Sequence, residues 1–97
     1  ACPLHLNAHG YVMAAKAGEF ERSLEIVREK LPFPAIAGRV CTHPCEGQCT
    51  RGDVDKPVSI RAIKRFVADY EIKNKGKIDF TPEIEEEKDK KVAIIGA

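Results

Sequence analysis

Gly38-Arg39-Val40-Cys41-Thr42-His43-Pro44-Cys45-Glu46-Gly47-Gln48-Cys49 is the stretch around which this chain is organised. Its three cysteines recur as C-x3-C-x3-C with Pro44 and Gly47 between them, and a fourth stands far upstream as Cys2, ahead of Pro3. Thiolates on a segment broken by proline and glycine can converge on one point, whereas a buried structural cysteine has no reason to recur at fixed spacing. The run reads as a ligand loop, and its expected guest is an iron–sulfur cluster. A structural zinc held by Cys2, Cys41, Cys45 and Cys49 is the first alternative, although zinc sites usually show paired C-x2-C knuckles. A disulfide set is the second, since four cysteines permit three pairings.

Working outward, the segment after the loop carries the clearest helix. Pro57 suits a first helical turn, and Ile60, Ile63, Phe66, Val67 and Tyr70 form one apolar stripe that should end near Asn74-Lys75-Gly76-Lys77. Upstream, Asn7 to Ala17 reads as a short helix with Asn7 as N-cap and Gly18 as the stop. Glu19 to Leu31 reads as a second, with Phe20, Leu24, Val27 and Leu31 at helical spacing, acids at its start and Arg28 and Lys30 at its end. The two best stripes are expected to pack together, burying Phe66. Residues 32–52 hold three prolines, three glycines and three cysteines, and are expected to form an irregular loop. The fold class is therefore all-α: a small domain of about three helices around a cysteine-rich loop, with a flexible C-terminal tail.

Composition bounds what such a domain does. Sixteen Lys+Arg against fifteen Asp+Glu give a net charge of +1, which leaves no electrostatic footprint for nucleic acid. No apolar run approaches the ~20 residues of a membrane span, and no secretory signal is present. Four cysteines in 97 residues are too sparse for a disulfide scaffold and suit a reducing compartment, so a cytoplasmic location is expected. A chain this short also gains from a metal staple.

The C-terminal Val92-Ala93-Ile94-Ile95-Gly96-Ala97 resembles the strand and first glycine of a dinucleotide-binding motif, making Gly96 the candidate cofactor-binding residue. Ile78-Asp79-Phe80-Thr81-Pro82 is expected to be extended, and the charged run Glu83 to Lys91 to be a connector. The expected division is a helical iron–sulfur domain at 1–76, a linker at 77–91 and the first strand of a following domain at 92–97. The absent initial methionine and the opening Cys2-Pro3 add to the expectation of a piece of a longer chain. His5 and His9 stand at i,i+4 and are read as surface or supporting residues, as is His43. Arg51-Gly52-Asp53 matches a cell-adhesion tripeptide and is set aside as chance. Arg39, Arg51, Arg61, Lys64 and Arg65 are either a solvated face or a positive surround for anionic thiolates.

Leu31-Pro32-Phe33-Pro34, then Gly38-Arg39-Val40-Cys41, Pro44-Cys45-Glu46, Cys49, Arg51, and Pro57-Val58-Ser59-Ile60 leading into Lys64-Arg65-Phe66 resemble a known module. It is the N-terminal iron–sulfur domain of the glutamate synthase small subunit, shared with dihydropyrimidine dehydrogenase and related NAD(P)H-dependent FAD oxidoreductases. The resemblance covers most of residues 1–71. It implies two [4Fe-4S] clusters followed by an FAD domain in an NAD(P)H-dependent enzyme. Residue by residue, it makes Cys2, Cys41 and Cys45 ligands of one cluster and Cys49 a ligand of the other. The sequence departs from the family at Ala37, where relatives often have cysteine, and at Lys64, where some have a Gln or Glu ligand.

The resemblance thus implies an electron-transfer module, not catalytic by itself. Its partners would be the FAD/NAD(P)-binding domain of the same parent chain and a catalytic subunit. The alternative is a non-redox docking module, zinc-stapled or metal-free. Two cysteine-ligated clusters want about eight thiolates, so these residues alone are expected to hold at most one site.

Overall fold

In the computed structural model, which describes residues 1–75 and 86–96, the chain is helical, and no strand forms among the described residues. Helix α1 spans Ala8–Lys16, α2 Phe20–Arg28, α3 Pro34–Val40, α4 Pro44–Gly47 and α5 Ile60–Lys73, with a 3-10 turn at Thr50–Asp53.

Helix α1 begins and ends where its signals stand, whereas α2 begins at Phe20, beside the expected Glu19, but stops at Arg28, short of the expected Leu31. The Asn7 side chain accepts from the Gly10 N–H at 2.9 Å, satisfying one of the orphan donors of α1. At the other end Gly18 turns the chain at φ +79°, a conformation cheap for glycine, and the short connection folds α2 back onto α1. Between these helices the buried Ser23 hydroxyl donates to the Tyr11 carbonyl at 2.7 Å.

Helix α5 closes the bundle. Leu24 and Val27 of α2 and Val67 and Ala68 of α5 are fully buried, and each large aliphatic side chain contributes about 1.5–3 kcal/mol of transfer free energy. A second part of the core gathers Tyr11, Ala14, Ile26, Val27 and Ile60, with Leu31, Val58 and Cys45 packed against it. Across the bundle Arg28 forks onto Glu71 at 2.6 and 2.7 Å, joining α2 to the last turns of α5.

Two expectations are corrected here. Residues 32–52 are not an irregular loop: Pro34 and Pro44 each occupy a first helical turn, where the missing N–H is no loss and the fixed φ favours the helix, so they start α3 and α4. Gly38 lies inside α3 and is buried, because a Cβ there would stand 2.8 Å from the Arg65 Cα. Proline and glycine act here as a helix starter and a close-packing residue.

Phe66 is not in the core either; it is 53 % exposed. The inward line of α5 is Ile60, Lys64, Val67 and Ala68, at i, i+4, i+7 and i+8, which leaves Phe66 on the flank. There it meets Phe20 edge-on at 5.1 Å, and Phe20 in turn meets Tyr70 at 5.2 Å.

Asn74 caps α5 close to the expected end. The expectations for Gly76, Lys77, the extended 78–82 segment and the start of the charged connector lie outside the described residues. Residues 86–95 carry almost no regular structure, and Val92, Ile94 and Ile95 are exposed, as a lone strand without a ladder partner would be. No helix among the described residues is long and apolar enough to cross a membrane.

Candidate metal centre

The four cysteines are free thiols, each partly buried. They fall into two sets. Cys2, Cys41 and Cys45 come close enough to act electrostatically on one another and on the hydroxyl of Tyr11, together with the Glu46 carboxylate. Cys49 sits apart, at the end of the stretch that leads into the 3-10 turn, among the backbone groups of Val58, Arg51 and Gly52.

The first set is assembled from three separate pieces of chain. Cys2 arrives on the segment before α1, which the His5 N–H ties back to the Cys2 carbonyl at 2.9 Å. Cys41 caps the C-terminus of α3, and Cys45 lies in the first turn of α4. Between them His43 takes a left-handed backbone, φ +47° and ψ +51°, which costs a non-glycine residue roughly 1–2 kcal/mol. That turn aims the His43 N–H at the Cys41 sulfur, 3.3 Å away.

Burial pushes the Cys45 thiol up from its ordinary value, and the negative charge of Cys41 adds to the effect. Tyr11 is raised for the same reasons, first burial and then the charges of Cys45, Cys2 and Cys41. A Cys45 thiol whose ionisation is opposed by burial and by its neighbours' negative charge sits where a positively charged guest is favoured. Cys49 goes the other way: the backbone N–H groups of Val58 and Arg51 favour its thiolate.

Among the described residues no three His, Cys, Asp or Glu side chains stand at the spacing of a single metal ion. The donor set itself fits an iron–sulfur cluster: soft thiolates, partly buried, with a backbone N–H on one sulfur. Cys2, Cys41 and Cys45 would hold it, and the cluster supplies one-electron chemistry when bound.

Other sequence candidates are placed as follows. His5 precedes α1 and has φ +51°, so it does not share a helical face with His9, and both are exposed. The His43 Nδ1 lies 3.3 Å from Glu46 and takes no part in the thiol group. Gly96 is exposed with φ +83° in the C-terminal segment. Arg39, Arg65 and Arg51 are paired with aspartates, the first two with Asp69 and the third with Asp55, whereas the Arg61 guanidinium donates to the Cys41 carbonyl at 2.9 Å. The basic residues are therefore mixed: three are carboxylate-paired, Arg61 is tied to the Cys41 carbonyl, and Lys64 is largely buried on the inward line of α5.

Sequence reasoning missed Tyr11 and Glu46. No spacing rule tied Tyr11 to the cysteines, yet its hydroxyl lies within electrostatic reach of Cys45, Cys2 and Cys41. Glu46 accepts from the Arg61 backbone N–H at 2.8 Å, tying the cysteine segment to the start of α5. Only the position of Glu46 beside Cys45 hinted at this.

Residues 1–76 match the family model described as dihydropyrimidine dehydrogenase domain II, 4Fe-4S cluster. The chain belongs to this family. It is 53 % identical over 72 residues to the NADP(+)-dependent formate dehydrogenase subunit beta of Moorella thermoacetica, covering 74 % of this chain and 10 % of the relative. It is 43 % identical over 96 residues to the NADPH-Fe(3+) oxidoreductase subunit beta of Geobacter sulfurreducens, covering 99 % of this chain and 14 % of the relative. The glutamate synthase [NADPH] small chain of Bacillus subtilis is 36 % identical over 97 residues, covering 99 % of this chain and 19 % of the relative. The chain thus spans between about a tenth and a fifth of these relatives' length. No solved structure gives a significant match.

Proposed function

We propose that this 4Fe-4S domain is an electron relay in a NAD(P)H-dependent FAD oxidoreductase. Cys2, Cys41 and Cys45 hold one cluster and Cys49 contributes to another. The observation that carries the reading is that three cysteines from three chain segments lie within electrostatic reach of the Tyr11 hydroxyl, in a chain of the 4Fe-4S family. The separate setting of Cys49 supports its assignment to a different cluster.

Nothing in the arrangement resembles a hydrolytic or group-transfer site; its reactive groups are thiols, and their chemistry at this density is metal ligation. The names of the relatives, which include NADP(+)- and NADPH-dependent subunits, support NADP(H) as the nucleotide that exchanges electrons with the enzyme. FAD, the flavin domain that follows, the division at residues 76 and 91, the role of Gly96 in that domain, and a catalytic partner subunit complete the proposal. The family description and the oxidoreductase relatives favour this relay over a non-redox docking module. Thiolate ligands require a reducing compartment, so we place the domain in the cytoplasm.

The test is anaerobic loading of the full native chain with iron and sulfide, followed by electron paramagnetic resonance of the reduced protein. Substituting Cys2, Cys41 or Cys45 by Ser should each remove or alter the same signal, and Cys49→Ser should alter a different one. Identical losses for all four substitutions would refute the division into two sites, and zinc without iron in the isolated protein would refute the relay.

A further inference from the structure

We propose that Tyr11 is the hydrogen-bond donor of the cysteine site: its hydroxyl donates to sulfur of the cluster held by Cys2, Cys41 and Cys45 and favours the reduced form. The inference rests on the relay reading and deepens it, naming a residue that tunes how readily the site is reduced.

Tyr11 is only 2 % exposed, at a place in the core where phenylalanine would fill the same space with no polar atom to satisfy. A tyrosine buried to this depth normally finds a partner for its O–H. Here the hydroxyl makes no hydrogen bond among the described residues, and the little surface that Tyr11 keeps includes its oxygen. The ring is enclosed, and the hydroxyl is its open end.

That end is held in place. The ring belongs to the core cluster of Ala14, Ile26, Val27 and Ile60. The Tyr11 carbonyl accepts from the fully buried Ser23 hydroxyl at 2.7 Å, which fixes this turn of α1 against α2.

Cys45, Cys2, Cys41 and the Glu46 carboxylate lie within electrostatic reach of the hydroxyl. Cys45 also packs against the core cluster that contains Tyr11. Each of these groups accepts hydrogen bonds when ionised. Glu46 is already engaged, one oxygen by the Arg61 N–H at 2.8 Å and the other by the His43 Nδ1 at 3.3 Å. The sulfurs remain. The His43 N–H meets the Cys41 sulfur from the backbone at 3.3 Å, and Tyr11 adds a side-chain donor from the core.

Such a donor has a redox consequence. Reduction makes a thiolate-ligated cluster more negative and its sulfurs better acceptors, while the phenol keeps its proton. A donor fixed beside it gains more from the reduced form than from the oxidised one, which is how hydrogen bonds to sulfur raise a cluster's potential.

The experiment uses the full native chain, wild type and carrying Tyr11→Phe, each loaded anaerobically with ferrous iron and sulfide. Both are read on the reduced signal that Cys2→Ser removes. Electron–nuclear double resonance in ordinary and heavy water should show an exchangeable proton in wild type that Tyr11→Phe lacks. Redox titration should show the ratio of reduced to oxidised cluster at a fixed potential falling by roughly fivefold in the variant. A ring-fluorinated tyrosine in place of Tyr11 keeps the hydroxyl and makes it a stronger donor, so it should raise that ratio, and it gives a reading that does not depend on how Tyr11→Phe folds. Exchangeable protons identical in wild type and Tyr11→Phe overturn the proposal, because a shifted ratio without a lost proton would be an effect of packing. So does a ratio that stays unchanged in Tyr11→Phe or falls with the fluorinated residue. If wild type takes up no iron the relay reading falls and this inference with it, whereas normal loading with no proton lost in Tyr11→Phe overturns the inference alone.

Discussion

The guanidinium of Arg61 donates to the carbonyl oxygen of Cys41 across 2.9 Å, joining the first turns of α5 to the cysteine that caps α3. One residue thereby makes two ties, because its backbone N–H also donates to Glu46. Ser59, the residue that should cap α5, makes no side-chain cap bond of its own. The carboxylate from the cysteine segment caps the helix in its place.

That exchange yields a contrast between two substitutions. Glu46→Ala should cost about 0.5–2 kcal/mol, the usual loss of an N-cap, and should raise hydrogen exchange through residues 41–47. Ser59→Ala should stay within roughly 0.5 kcal/mol of wild type, as surface changes without a lost partner do. Urea unfolding of both variants checks this; equal costs would mean that Glu46 is not the cap.

The approach of α3 to α5 is set by Gly38. A Cβ at this position would lie 2.8 Å from the Arg65 Cα and 3.1 Å from its backbone nitrogen, and backbone cannot rotate away as a side chain can. Gly38→Ala should therefore cost about 1–3 kcal/mol as the helices are forced apart, and it should perturb the thiol group because Cys41 ends the same helix. Gly47→Ala meets nothing within 4 Å and needs no positive φ, so it should be neutral or slightly stabilising. Melting temperatures, together with iron uptake by Gly38→Ala, measure both effects.

Core truncations should separate the two faces of α5. Leu24 is fully buried in α2, and Leu24→Ala should cost about 2–5 kcal/mol. Phe66 keeps half of its surface in water, so Phe66→Ala loses chiefly its edge-on contact with Phe20, worth about 0.5–1.5 kcal/mol. Equal destabilisation in thermal unfolding would return Phe66 to the core.

These outcomes mark how far the sequence could be read. Asn7, Gly18 and Asn74 act within a few residues of themselves, and local rules placed the helix ends they control. The cysteine spacing likewise exposed the ligand loop. What was illegible depends on who comes to meet a residue from far away. Pro34 and Gly38 are breakers in isolation and become a helix start and a helix contact only because α5 packs on α3. The stripe of α5 was read as wide enough to include Phe66, when the decisive inward position is a lysine that a hydrophobic pattern counts as polar. The approach of Cys2 to Cys41 and Cys45 was expected through the family likeness, since no spacing rule links residue 2 to residue 41.

Acid should act on the fold through Asp69. The Arg39 side chain donates to both its oxygens, at 2.8 and 3.1 Å, and together with the charges of Arg39 and Arg65 it holds the carboxyl below its usual range. The unfolded chain, lacking these partners, binds the proton at a higher pH, near about 4. Asp69 thus contributes stability that is fully present above that value and is lost as pH falls through the lower folded value. Asp69→Asn should then lower the melting temperature of the metal-free chain at pH 7 by an amount that shrinks below roughly pH 4 and disappears in stronger acid. Thermal unfolding of both proteins across that range is the check. A gap between them that persists undiminished at the acid end would mean that the Asp69 charge is not what joins α3 to α5.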